Sequence, residues 1–595
     1  MAGLSKAVRL YETVRHLSAE QWLFRAICRG QRVYRQKCPV WAFRALRAAA
    51  EELPLPNLAA PALARTVAIA EQLQTSIHKH ELHSISQGSF TFLNRTVDFG
   101  SIEAVHWRRD LGERNNPLWR MNFAYFGWAV PLAATGEYDK FQLILNVLRS
   151  LEQQNGFEQP GVFRDVWNAY SASHRLINLL SAIVAYIKAG GKFLQKDEIE
   201  LLDHIRFCAV FVHKSLERDL QYNHLLKNYV ALAVYASAQE VPTDVFPGLG
   251  SGIRSSVAQQ FLLDGGHAER SPMYHLLSVL DLRTILASGA VPECEAELKV
   301  RLAAAEAALA VMSHPDGDIA LFNDSWLGEG PPASHVITAG VREGRRTLEY
   351  TGYTQLRAAD AAVIVDHGLC GPDDNPGHAH ADFLSLELSI HGRRFFVDPG
   401  VPTYSAGEAR DRSRSARFHN GPYFSGYEPI DFWASFRVGR RGRARSLDIP
   451  SLAKQAPLSI AGSHNGFAGI GGKVGRWVGL WPGVGVLVVD VWCGAALSEA
   501  FTTWLIPDQF VQIGELDFSA DATHVGVRAL RGAVTSETGS WWPRFGFAQN
   551  ATLLSVRPTR QLDLQAAALW VQWGTGDRPT SALVDRIVAT LGGAL

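Results

Sequence analysis

The chain is poor in cysteine: six in 595 residues, at 28, 38, 208, 294, 370 and 493, with no CxxC pair. That scatter excludes a disulfide framework and a zinc ribbon, and it suits a reducing compartment. Net charge is also missing, since 58 Lys and Arg balance 58 Asp and Glu, which argues against a general nucleic-acid binder. No stretch reaches the ~18 consecutive apolar residues of a membrane span. The most apolar tract, Val478 to Leu497, is interrupted by Pro482, glycines and Asp490 and reads as sheet. The opening Met1-Ala-Gly-Leu-Ser-Lys-Ala-Val-Arg-Leu lacks the uninterrupted apolar core of a secretory signal. A cytoplasmic location is therefore expected, or a periplasmic or secreted one if a leader precedes this sequence. No repeat of fixed period is visible, and Gly466 to Gly475 is too irregular for a phosphate loop.

What is present divides into three parts. Residues 1–55 are basic and helical in pattern, with Arg9, Arg15, Arg25, Arg29, Arg32, Arg35 and Arg44 spaced along apolar positions. They read as a solvated amphipathic helix pair, or as a segment that docks on a membrane surface or partner. In residues 56–330, apolar-periodic segments such as Phe123–Leu132, Ser171–Ala189, Ile199–His213 and Leu225–Ala238 predict helical hairpins of a bundle or α/α toroid. Asp-Gly, Gly-Glu-Gly and Pro-Pro between Asp316 and Pro332 read as a linker. Residues 331–595 carry short runs, among them Ala361–Val365, Phe383–Ile390, Phe395–Val397, Val484–Val491 and Ala551–Val556, that predict stacked antiparallel sheets.

The densest chemistry lies in the third part. In Asn375-Pro-Gly-His-Ala-His-Ala-Asp382, His378 and His380 share the parity of an alternating strand that follows, so both should face one way. A turn at His391-Gly392 returns Asp398 to the start of that strand, and His419-Asn420 supplies a third ligand type. Two histidines and a carboxylate make a sensible zinc shell, although parity does not say which histidine of the pair binds metal. Between Thr403 and Arg445 stand nine arginines, including Arg412 and Arg414, against four acids. That surplus suits an anionic polymer, or a solvated basic surface. Tyr404 is among the nearby aromatics that could stack on sugar rings or fill a core. In the helical part, Asn223-His224 precedes an apolar helix, where Asn often only caps. Trp167 and Arg175 are candidates for substrate contact or for locking two helices together, and Tyr274 stands in Ser271-Pro-Met-Tyr274.

Taken together, Asn223-His224, Ser271-Pro-Met-Tyr274, Gly377-His-Ala-His-Ala-Asp382, Asp398-Pro-Gly400 and His419-Asn420 resemble the heparinase II/III family of polysaccharide lyases over most of the chain. The resemblance implies an α+β multidomain fold, an incomplete α/α toroid followed by an antiparallel β-sandwich. It implies β-elimination on an acidic, uronate-containing polysaccharide, with Asn223 and His224 neutralising the carboxylate. Tyr274 and His378 would share the acid and base roles, and His380, Asp398 and His419 would hold a structural zinc. No organic cofactor is implied. For Tyr274 to serve, a neighbouring positive charge or histidine should lower its pKa from about 10. Heparin, heparan sulfate, alginate and a bacterial exopolysaccharide all fit, and a homodimer is compatible. Glycoside hydrolysis is the rival chemistry, with Asp264 and Glu269 as its carboxyl pair. A non-catalytic exopolysaccharide-binding protein is the rival from another class.

Overall fold

The computed structural model describes residues 6–111, 118–338, 340–494, 499–561 and 564–595. The first five residues of the basic segment, and residues 495–497 of the apolar tract, lie outside them. Where the sequence suggests divisions near residues 55 and 330, the compact units interleave. A helical unit comprises Ser18–Gln260 and Leu277–Ala303; a β-rich unit comprises the chain up to Leu17, Phe261–Leu276 and Ala304–Leu595.

After α1 (Lys6–Val14), which belongs to the β-rich unit, the long helices are α2 (Ala19–Lys37), α3 (Pro39–Glu52), α4 (Pro61–His78), α5 (Tyr138–Gln154), α6 (Ala169–Lys188), α7 (Gln195–His213), α8 (Tyr222–Ala236), α9 (Leu249–Gln260), α10 (Pro272–Ser288) and α11 (Glu295–Val311). Helix α6 is apolar nearly all round and buried along its length, because α4, α7, α8 and the short helix Ala129–Ala133 pack about it. The single helix expected over Phe123–Leu132 is two, Leu118–Ala124 and Ala129–Ala133. Phe126 between them has φ of 58°, a backbone that no right-handed helix can carry through.

In the β-rich unit, β1 (Gly344–Leu348), β2 (Tyr353–Arg357), β3 (Ala361–Asp366), β4 (Leu386–Ile390) and β5 (Arg393–Phe396) form an antiparallel meander. Its central strands β3 and β4 are buried on both faces. The β4–β5 turn falls at His391-Gly392, with φ of 48° and 80°. Next come β6 (Pro422–Phe424), the hairpin β7 (Ile430–Ala434) and β8 (Arg437–Arg441), and β9 (Ala444–Leu447), β10 (Leu458–His464), β11 (Lys473–Trp481) and β12 (Gly485–Cys493). Strands β9 to β12 pair in succession, and β12 pairs with a late strand, Leu564–Gln572, in the largest sheet. A four-stranded sheet joins Ala533–Arg544, Phe547–Arg557, Ala500–Pro507 and β6. One continuous apolar core, including Val363, Leu388, Phe396, Val488, Trp504 and Leu554, lies among these sheets. The chain is thus an α+β protein with a toroid-type helical region and an antiparallel β-sandwich region.

Candidate active site

The loop carrying His378 and His380 is irregular, because β4 begins only at Leu386 and Leu384 has φ of 60°. Strand parity therefore does not align the two histidines. A buried carboxylate does. Asp324 Oδ2 lies 3.0 Å from His378 Nδ1, and Asp324 Oδ1 lies 2.9 Å from His380 Nε2. Arg410, on the short helix Glu408–Arg414, donates to both oxygens, at 2.8 Å through Nη2. Burial opposes ionisation of Asp324, but Arg410 and the two histidines outweigh it and hold the carboxyl well below its usual range. The backbone knits the same groups together: Asp324 N–H donates to His378 O at 3.1 Å, and His380 N–H to Asn323 Oδ1 at 2.9 Å.

Asp324 lies inside the segment read as a linker. Asn323, Asp324 and Ser325 are instead buried, held by Ser271 Oγ, which donates to Asp324 O at 2.7 Å and lies 2.8 Å from Ser325 Oγ. Ser271 Oγ also accepts from Tyr274 N–H at 3.3 Å, an N-cap on α10 whose next residue is Pro272. This explains the Ser-Pro-x-Tyr spacing, since the cap fixes Tyr274 in the first helical turn. Arg270 and Asn323 flank the junction with φ of 55° and 57°, the kind of backbone strain that collects at functional sites.

The Tyr274 ring packs against that of His378, with centroids 4.1 Å apart and planes tilted by 35°, and its hydroxyl lies 3.2 Å from that of Tyr404. Arg410 lies over the Tyr404 ring at 4.9 Å. Phe436, between β7 and β8, closes one side at 5.0 Å from Tyr404 and 6.1 Å from His378. Contrary to the expectation of a lowered phenol, burial first, then Tyr404 and Asp324, push Tyr274 well above its ordinary value. Tyr274 therefore stays protonated at neutral pH.

Next to this cluster, His380, Asp398 and His419 place ligand atoms within 4.8 Å of one another. Each keeps one buried side-chain atom without a hydrogen bond: His380 Nδ1, Asp398 Oδ1 and His419 Nε2. Their other atoms are committed, His380 Nε2 to Asp324 and His419 Nδ1 to Asp398 Oδ2 at 2.9 Å. Burial, reinforced by Glu387, pushes the Asp398 carboxyl well up, a cost that a cation would reverse. Two imidazole nitrogens and one carboxylate oxygen, oriented by outer hydrogen bonds, fit zinc. Asn420 is a strut: it donates to Leu386 O and Val397 O and accepts from Leu505 N–H.

Some expected contacts lie elsewhere. Arg414 is fully buried; it donates to Ala379 O and to the carbonyls of Ala434 and Ser435, and lies 3.8 Å over Phe432. It ties the histidine loop to the β7–β8 hairpin and has no surface for substrate. Arg412 is two residues from Arg410, so it points away around the helix. It stacks on Phe418 at 4.8 Å and lines a ~970 Å³ cavity with Arg9, Asp411 and Phe432, which excludes His378 and Tyr274. In the helical unit, Arg175 is buried against Trp167 at 4.5 Å and donates to Ala124 O and Val166 O. Trp167, also buried, donates to Asn155 O. This pair locks helices. The hydrolase carboxylates are occupied too, since Asp264 accepts from Tyr350 N, Thr351 N and Thr351 Oγ1, and Glu269 is buried.

Asn223 is no helix cap. The cap position of α8 is Gln221, which makes no side-chain cap bond. Gln221 and Tyr222 are both left-handed, with φ of 61° and 45°, and the turn presents Asn223 and His224 in succession. His224 lies 4.5 Å from the Tyr170 ring, and Tyr170 leads to His174 at 4.7 Å. Tyr170 and His174 stand between Trp167 and Arg175 in the sequence.

Two family descriptions match almost end to end: heparinase II/III N-terminus over residues 64–337, and heparinase II/III-like, C-terminal, over 341–571. The chain belongs to the heparinase II/III family. A heparin-sulfate lyase of Pedobacter heparinus is 26% identical over 205 residues, which spans 29% of this chain and 30% of that protein. Among solved structures, heparinase III aligns with TM-score 0.64 at 15% identity, covering 95% of this chain and 94% of the other. The heparan sulfate lyase of Pedobacter heparinus aligns with TM-score 0.53 at 16% identity, covering 91% and 89%. At such identities the structural likeness establishes the fold.

Proposed function

We propose that this heparinase II/III family chain is a polysaccharide lyase that cleaves a uronate-containing anionic polymer by β-elimination. The observation that carries this reading is the Tyr274–His378 ring contact backed by Asp324. Glycosaminoglycans are the first substrate class to test, because the relatives named above act, by their names, on heparin and heparan sulfate. Alginate and bacterial exopolysaccharides present the same uronate chemistry.

Asp324, held ionised, accepts the proton on His378 Nδ1 and so leaves Nε2 as the basic atom. His378 Nε2 takes the C5 proton of the uronate. The electron pair forms the C4–C5 double bond as C4–O4 breaks, and the Tyr274 hydroxyl protonates O4. The family resemblance assigns to Asn223 and His224 the binding of the carboxylate and the stabilisation of the enolate charge that would develop on it. Replacing Asn223 by Ala should lower kcat by about 10²–10³-fold, measured as the rate of unsaturated-uronate absorbance. An unchanged kcat would remove Asn223 from this role.

His380, Asp398 and His419 would hold zinc. The metal would fix the Gly377–Asp382 loop that carries His378. Elemental analysis of the purified protein should find about one zinc per chain. His419→Ala should lose it, with a fall in Tm of several degrees. A chelator that leaves Tm unmoved would argue against a structural metal.

A further inference from the structure

Helix α2 reverses the usual sidedness of a surface helix. Its inner face carries polar and charged groups: Gln21 is fully buried, and Arg35 donates to Ser215 Oγ at 2.8 Å and to Lys214 O. Its outer face carries Trp22, Leu23, Ile27, Val33 and Tyr34, each 41–58% exposed. With Ala26 and Gly30, these positions follow the i, i+3, i+4 spacing of one helical stripe. Beyond the turn at Cys38-Pro39, Val40 and Trp41 continue the exposed apolar residues, Trp41 at 71%. Between Ala19 and Ala45 stand six cations, Arg25, Arg29, Arg32, Arg35, Lys37 and Arg44, against the single acid Glu20. Of these, Arg29, Arg32, Lys37 and Arg44 are exposed.

We propose that the outer face of α2 and the start of α3 is a peripheral docking surface for an anionic lipid membrane. Apolar side chains with tryptophan and tyrosine among them, flanked by lysine and arginine, are what a helix lying in the headgroup plane requires. No helix among the described residues is long and apolar enough to cross a membrane, and this face needs none, since it would enter only the interface. Charge selects the occupant. A symmetric second copy would set like cations opposite one another across the contact, whereas anionic headgroups neutralise them. A lyase held this way would work beside a membrane at which its polymer is made or passes, but the docking claim does not depend on the reaction.

The test is co-sedimentation of the full chain with phosphatidylcholine vesicles and with vesicles in which about half the lipid is phosphatidylglycerol, with sedimentation velocity on the protein alone. The protein should partition at least about tenfold more strongly onto the anionic vesicles, and salt should weaken that binding. Trp22→Ala with Trp41→Ala, and separately Ile27→Glu, should each lower the partition about tenfold. Neither should move the thermal melt, because these side chains are exposed. Equal partition onto both vesicle types, or variants that bind like the parent, would overturn the proposal. So would a concentration-dependent dimer dissolved by Ile27→Glu, which would make this face a contact between copies.

Discussion

Tyr274→Phe should reduce kcat on a cleaved uronate polymer by about 10³-fold while changing KM by no more than about threefold, since general acid transfer is worth about 10²–10⁴ in rate. The split follows from geometry. The phenyl ring keeps its contact with His378 at 4.1 Å, so the site's shape survives and only the proton donor goes. Burial and the neighbouring Tyr404 hold the phenol well above its ordinary range, which keeps the proton on oxygen until the departing O4 accepts it. Tyr404→Phe should have a smaller effect, about tenfold, because the Tyr404 hydroxyl, 3.2 Å from that of Tyr274, aims the donor without itself giving the proton. Steady-state kinetics with both variants checks this. Equal losses would mean that the two hydroxyls act as one relay.

The second large effect is expected at Asp324. Asp324→Asn keeps the shape but removes the charge that faces buried Arg410. An uncompensated buried guanidinium costs about 3–5 kcal/mol, so thermal or denaturant unfolding should begin markedly earlier. Adding Arg410→Met should return most of that stability, since replacing both members of a buried pair is often nearly neutral. Activity should not return. The amide has one acceptor oxygen where the carboxylate has two, so His378 Nδ1 and His380 Nε2 cannot both keep theirs, and the charge that fixes the proton on His378 Nδ1 is gone. The double variant thus separates the stabilising role of Asp324 from its positioning role. Recovery of stability and activity together would leave Asp324 purely structural.

The sequence made the sheets and the long helices legible because their periodicities are local. The short apolar run Ala361–Val365 and the apolar-periodic segment Ser171–Ala189 each correspond to an element displaced by no more than two residues. The Tyr274 and His378 motifs stood out only jointly, through the order of five short motifs that together resemble the heparinase II/III family. Asp324 was hidden because Asn-Asp-Ser sits among Gly and Pro turn signals. The apolar Ile319-Ala-Leu-Phe322 before it and Trp326 after it were the clue that the segment is core. Arg410 was masked by its neighbours: nine arginines in a row of loops look alike until a helix turns one inward to Asp324 and another outward to Phe418. For Trp167 and Arg175 the sequence left two readings open, since a cation stacked on an indole serves a helix junction as well as it serves a sugar. The glycines and polar groups of Asp264–Tyr274 mark a break between helices, but the interleaving of the compact units there is not legible in the sequence, because that exchange is set by long-range packing.

The most direct test of the central claim is the mass of the oligosaccharides released when the protein digests a panel of heparan sulfate, heparin, alginate and other uronate polymers. Elimination releases fragments whose new non-reducing ends are lighter by one water than hydrolysis products and absorb in the ultraviolet. The account predicts such ends on at least one polymer and their disappearance with Tyr274→Phe. Fragments of full hydrolytic mass, or release undiminished by that substitution, would contradict it.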